Sequence, residues 1–139
     1  MTAKEYLSRA YWLDKKINSK LNQIKYLEDL ATKCTSIITD TPQKSNSSDS
    51  KIDNAVAKIV DLQSEINADI DKLIDAKREI AETINAVEND EYQAILEKRY
   101  LCFMKWEDIA LEMKYSIHHL YKLHNRALNK ISRILKEDS

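Results

Sequence analysis

Trp106–Leu128 reads WEDIALEMKYSIHHLYKLHNRAL, and these residues decide the fold. Ile109, Ala110 and Met113 make one apolar stripe at helical spacing, and Leu120, Leu123 and Ala127 make another. Between the stripes, Lys114-Tyr115 has room only for a short turn. Ser116 stands where a second helix needs an oxygen to cap its first N–H groups. No acid occurs from Lys114 to Lys136, whereas Lys114, Lys122, Arg126, Lys130, Arg133 and Lys136 are all basic. A short helix, a tight turn and a second, basic helix are the parts of a helix-turn-helix. In that motif the second helix enters the major groove of duplex DNA.

With Leu120, Ala127 and Ile131 turned to a core, helical geometry puts His118, Lys122, Asn125, Asn129 and Arg133 on the opposite face. His119 and Arg126 fall at its edge. The first turns of such a helix approach base edges. Asn125 suits adenine, and Lys122 or Arg126 suits guanine or phosphate. Lys130 and Arg133 lie further along and suit phosphate. Tyr121 either reaches the DNA backbone or flanks the core. For each residue alone, the plain alternative is an ordinary exposed polar side chain. His124 falls near the apolar side and is expected as a core or boundary residue. No two histidines are spaced i, i+4 and no acid or cysteine is close, so no metal site and no cofactor are expected.

Upstream, Asn89 or Asp90 caps an expected helix running to about Phe103, with Tyr92, Ile95, Leu96, Tyr100 and Phe103 on its apolar side. Residues 3–34 read as one long helix. Ala3, Ala10, Ile17, Ile24 and Ala31 recur every seven residues, and Leu7, Leu13, Leu21 and Leu27 fill the second line. Residues 51–87 read as another. Ile52, Ile59, Ile66, Leu73, Ile80 and Val87 lie on one strict line, and Val56, Ile70 and Ile84 on a companion line broken by Gln63 and Lys77. Pro42 and the Ser/Asn/Asp-rich stretch make residues 39–50 the expected loop, with Ser50 and Asp53 starting the next helix. The expected architecture is all-α. A long antiparallel helical hairpin (1–88) precedes a C-terminal helix-turn-helix domain (89–139). Two helices alone bury little of so wide a stripe, so the hairpin is expected to pair with a second copy as a homodimer.

Composition bounds the rest. The chain has 139 residues, no Gly and one Pro, which leaves few turn residues for a strand-rich fold. Net charge is −1, so the chain is no generic polycation, but the balance is local: residues 1–89 are slightly acidic and the last two dozen strongly basic. Cys34 and Cys102 have no metal-type spacing and are expected as small core residues in a reducing cytosol. No signal peptide or membrane span is expected. Phosphate loops, His-Glu-x-x-His and nucleophile motifs are missing, so the protein is not expected to be an enzyme.

The stretch LEKRYLCFMKWEDIALEMKYSIHHLYKLHNRALNKI resembles region 4 of bacterial sigma-70-type factors, which reads an upstream promoter element. With MTAKEYLSRAYWLDKKINSKL and KIVDLQSEINADIDKLIDAKREI, nearly the whole chain is similar to small regulators of phages and prophages of Gram-positive bacteria. These are of the autolysin-regulator and late-gene-activator type. The resemblance implies a transcriptional regulator that binds promoter or operator DNA. Its implied contacts are Ser116, His118, His119, Tyr121, Lys122, Asn125, Arg126, Lys130 and Arg133, and RNA polymerase is a further implied partner. Two positions depart from the sigma pattern. Lys105 stands where a Ser or Thr cap is usual, and Lys114 where Gly is usual. Two other readings stay open at this point: a small-terminase-like DNA-packaging oligomer, and a protein-binding adaptor that contacts RNA polymerase.

Overall fold

The computed structural model describes residues 1–40 and 45–137, with side chains described outside 34–49. Among the described residues the chain is all-helical: α1 (Ala3–Leu7), α2 (Arg9–Asp40), α3 (Ser45–Asn85), α4 (Asp90–Tyr100), α5 (Trp106–Met113) and α6 (Ile117–Glu137). None of these helices is long and apolar enough to cross a membrane.

The first long helix is broken at Ser8. Thr2 and Glu5 close a reciprocal capping box on α1. Beside this turn the Tyr6 carbonyl accepts the Arg9 guanidinium at 3.0 Å. Arg9 also pairs with Glu79 at 2.9 Å, which ties the start of α2 to α3. The expected loop is shorter than 39–50, because α2 reaches Asp40 and α3 begins at Ser45. Ser, Asn and Asp are poor helix formers, but each costs only about 0.5 kcal/mol, and no Gly or Pro interrupts residues 45–50. Ser50 and Asp53 therefore lie within α3, while Pro42 falls outside the described residues.

The chain divides into two compact units, 14–71 and 1–13 with 72–139. This differs from a division at 88. Residues 1–13 and 72–88, expected in the hairpin domain, belong with the C-terminal helices because Leu7, Ala10, Ile80 and Ile84 share a core with Leu96, Tyr100, Ala127 and Ile131.

In the unit 14–71, Ile17 and Ile24 of α2 are buried, as are Leu62 and Ile66 of α3. Lys16 meets Asp69, and Lys20 meets both Asp69 and Glu65, so the α3 partners step backwards as α2 advances. Of the expected companion line on α3, Ile84, in the other unit, is buried, but Val56 and Ile70 are exposed, whereas Leu62 and Asp69 are buried. In this unit the buried seam 62–66–69 steps by four and then three, and it carries a carboxylate. Lys20 neutralises that carboxylate at 2.6 Å. Asp69→Ala would leave the largely sequestered Lys20 ammonium with only the longer contact to Glu65 at 3.8 Å. We expect a loss of about 2 kcal/mol in urea unfolding, whereas the double change Lys20→Met with Asp69→Leu should restore most of it. Equal losses in both would show that the seam needs the ion pair itself.

In the other unit a second core joins Ile95 of α4 to Ile109 and Ala110 of α5 and to Leu120 and Leu123 of α6. Helix α4 is shared, since Leu96 and Tyr100 pack into the first core. Its N-cap is Asn89, whose side chain accepts from the Tyr92 N–H at 3.0 Å. It ends at Tyr100 rather than Phe103, because Phe103 has φ 57° in the left-handed region. Cys102, expected in the core, lies exposed in this turn. The side chain of Cys34 is outside the described residues.

Candidate nucleic-acid interface

Helix α5 starts at Lys105 without a side-chain cap, since an ammonium cannot accept an N–H. It ends on Lys114, at φ 61° and ψ 41°. The Tyr115 N–H then reaches back to the Ala110 carbonyl at 3.0 Å, a closure that normally uses Gly. Lys114 is exposed, so Lys114→Gly should remove backbone strain at little cost in contacts. We expect about 1 kcal/mol of added stability in urea unfolding. Phe103→Gly should show no such gain. The Phe103 ring packs edge-on against Tyr11 at 5.8 Å and lies under the Lys77 ammonium at 4.7 Å.

Ser116 caps α6, its hydroxyl accepting the His119 N–H at 3.1 Å. The turn is fixed from outside as well. The Tyr115 hydroxyl donates to Glu91, and this bond pushes the phenol pKa up. Trp106, the first residue of α5, packs edge-on against Tyr121 at 5.5 Å and against His124 at 4.5 Å. His124 is buried, as expected, with its Nε2 2.7 Å from the Tyr100 hydroxyl. Burial lowers the His124 pKa to about 4, helped by the nearby charges of Lys4 and Arg99. Burial raises Tyr100 to about 12, against the pull of Arg99. The contact is thus a neutral hydroxyl–imidazole pair across neutral pH, and it ties α6 to α4.

The opposite side of α6 is open. Ser116, His118, His119, Tyr121, Lys122, Asn125, Arg126, Lys130 and Arg133 are all exposed, while Leu120, Leu123, Ala127 and Ile131 are buried. Two of the exposed residues have contacts of their own: the His119 ring meets Tyr115 at 5.0 Å, and Tyr121 braces Trp106. Lys130 and Arg133 line a groove of about 320 Å³ against residues 86–89, which include Glu88. They therefore stand apart from the first turns, where Lys122 and Arg126 make no ion pair among the described residues. At about 1.5 Å per residue, Lys122 to Arg133 spans roughly 16 Å of helix. By contrast α5 exposes Glu107, Asp108 and Glu112, and Glu112 pairs with Lys98. Lys105 and Lys114, exposed at the two ends of α5, are further cations near this surface. Among the described residues no group of three or more His, Cys, Asp or Glu side chains could hold a metal ion.

The sequence model of a family described as "protein of unknown function (DUF1492)" matches residues 33–132, more than two thirds of the chain. The chain belongs to the DUF1492 family. The match takes in α4, α5 and most of α6, and so includes the second core of this DUF1492 chain and the capped start of its basic helix, while Ala3, Leu7 and Ala10 of the first core lie outside it. No curated protein and no solved structure matches the chain.

Proposed function

We propose that this protein is a DNA-binding regulator of transcription of the phage and prophage type. In this reading α5, the Lys114–Ser116 turn and α6 form a helix-turn-helix, and α6 enters the major groove. The observation that carries it is the acid-free, exposed side of α6, held in place on its other side by buried His124, which meets Tyr100 and the half-buried Trp106. Phosphate contacts from Lys122, Arg126 and the more distal Lys130 and Arg133 supply affinity, and Asn125 with its neighbours supplies base discrimination.

Helices α2 and α3 act as an antiparallel hairpin that pairs two copies. Exposed Val56, Val60 and Ile70 on α3, spaced for one side of a helix, support self-association. A dimer presents two reading helices, so the bound sequence should contain two related half-sites. Selection from a random duplex library with the purified chain tests this. Enrichment of a two-part motif is expected, and a pool that stays random after repeated rounds would rule the reading out. Light scattering separates the regulator, a dimer, from a ring-forming packaging protein.

A further inference from the structure

We infer a second binding site, for an acidic segment of a partner protein that carries an aromatic side chain. It is a half-open cleft of about 270 Å³ in the unit formed by residues 1–13 and 72–139. Its walls include four aromatic rings, Tyr11, Trp12, Phe103 and Trp106, and two cations, Lys4 and Arg99. None of the residues assigned to DNA lines it, so the inference does not depend on the reading of α6.

The walls are fixed before any ligand arrives. Tyr11 packs edge-on against both Trp12, at 5.1 Å, and Phe103, at 5.8 Å. The Arg99 guanidinium lies over the Trp106 ring, 4.8 Å from its centre, and donates to the Met104 carbonyl at 2.9 Å. Yet Trp12 remains 67% exposed. Neither Lys4 nor Arg99 forms a salt bridge among the described residues, and both charges are close enough to depress His124. The cleft therefore offers apolar surface beside uncompensated positive charge.

That pairing selects the occupant. Carboxylates answer Lys4 and Arg99, and an aromatic ring answers Trp12 and Trp106. The volume falls short of the roughly 300–1,000 Å³ of sites that enclose a whole small molecule, but it accepts one anchoring side chain. Trp, Tyr and Arg are also the residues in which protein interfaces concentrate binding energy.

The test uses the full-length, isotope-labelled chain and an N-acetylated, C-amidated tripeptide of phenylalanine flanked by two aspartates. Saturable shifts of the Trp12 and Trp106 indole N–H resonances are expected, with Kd of roughly 1 mM or tighter. The lysine-flanked counterpart should bind at least about tenfold more weakly, and Lys4→Glu should weaken the aspartate peptide by a similar factor. Lys4 is on the surface, so this variant keeps the fold, and its DNA affinity should change far less than its peptide affinity. No shift up to about 10 mM peptide would overturn the proposal, as would equal binding of the lysine peptide. Tighter binding of deoxyadenosine monophosphate at the same resonances would overturn it in favour of a nucleotide. A Trp12→Ala change that alters sedimentation of the free chain would assign the cleft to a second copy and overturn it too.

Discussion

Replacing Lys122 and Arg126 together by Ala is expected to weaken binding to the selected duplex by roughly 3 kcal/mol, on the order of a hundredfold, and to reduce the salt slope by about two. The size follows from where the two residues stand. Both are exposed in the first turns of α6 after the Ser116 cap, and neither is neutralised by an ion pair among the described residues. Their charge is therefore available to phosphates or base edges. Because neither side chain packs in a core, folding stability should stay within about 0.5 kcal/mol of the parent. A charge-matched control, Lys25→Ala with Lys33→Ala on α2, removes the same two positive charges from exposed positions outside α6. It should leave sequence-specific affinity nearly unchanged in a mobility-shift titration at fixed salt. Equal losses in the two variants would reduce the role of α6 to bulk electrostatics. No loss in either would remove α6 from the interface.

The second large effect is acid instability. Buried His124 has its pKa lowered to about 4, chiefly by desolvation, against 6.5 when unperturbed. Between these values the unfolded chain binds a proton that the folded chain refuses. The contribution of the neutral imidazole is therefore complete above pH 6.5 and is lost as pH falls toward 4. It amounts to about 3 kcal/mol, a substantial part of the stability of a small domain. Urea unfolding at intervals between neutral pH and pH 4 should show this decline. His124→Gln keeps a neutral polar group near the Tyr100 hydroxyl and should remove that part of the pH dependence while lowering stability at neutral pH. Identical pH profiles would mean that His124 carries no such load. Tyr100, raised to about 12 by burial, acts at the other extreme, its contribution being lost as pH rises from 10 toward 12. Since His124 sits between Trp106 and Tyr100, protonating it disturbs the inner side of the helix whose outer side is proposed to meet DNA.

The Ser116 cap and the buried side of α6 were legible because periodicity and capping chemistry agree there, and the start of α5 at Trp106 was legible from periodicity although Lys105 offers no cap. The strict line through Ile66 and Ile80 was legible for the same reason. Other features escaped because one specific contact outweighed a local preference. Asp69 reads as a solvent-facing acid until Lys20 is placed beside it, and hydrophobicity alone favours Ile70. Ser8 has nothing in its own identity to stop a helix, and the hydrogen bond from Arg9 to the Tyr6 carbonyl beside it is not readable from periodicity. Phe103 is a residue that left-handed backbone disfavours, and contacts with Tyr11 and Lys77 hold it there. The same turn exposes Cys102. The aromatic and basic cleft was invisible for a related reason. Lys4 and Trp12 are about ninety residues from Arg99 and Trp106 in the chain, and only the packing of α1 against α6 and of Tyr11 on Phe103 brings them together.

The measurement that reaches the central claim most directly is a titration of the isotope-labelled chain with the selected duplex, following every backbone amide. The largest shifts are expected from Ser116 through Arg126, with smaller ones at Lys130 and Arg133, and residues 14–71 should move little. Shifts confined to residues outside α6, with the Ser116–Arg126 amides unmoved at saturating duplex, would contradict the assignment of α6 as the helix that reads DNA.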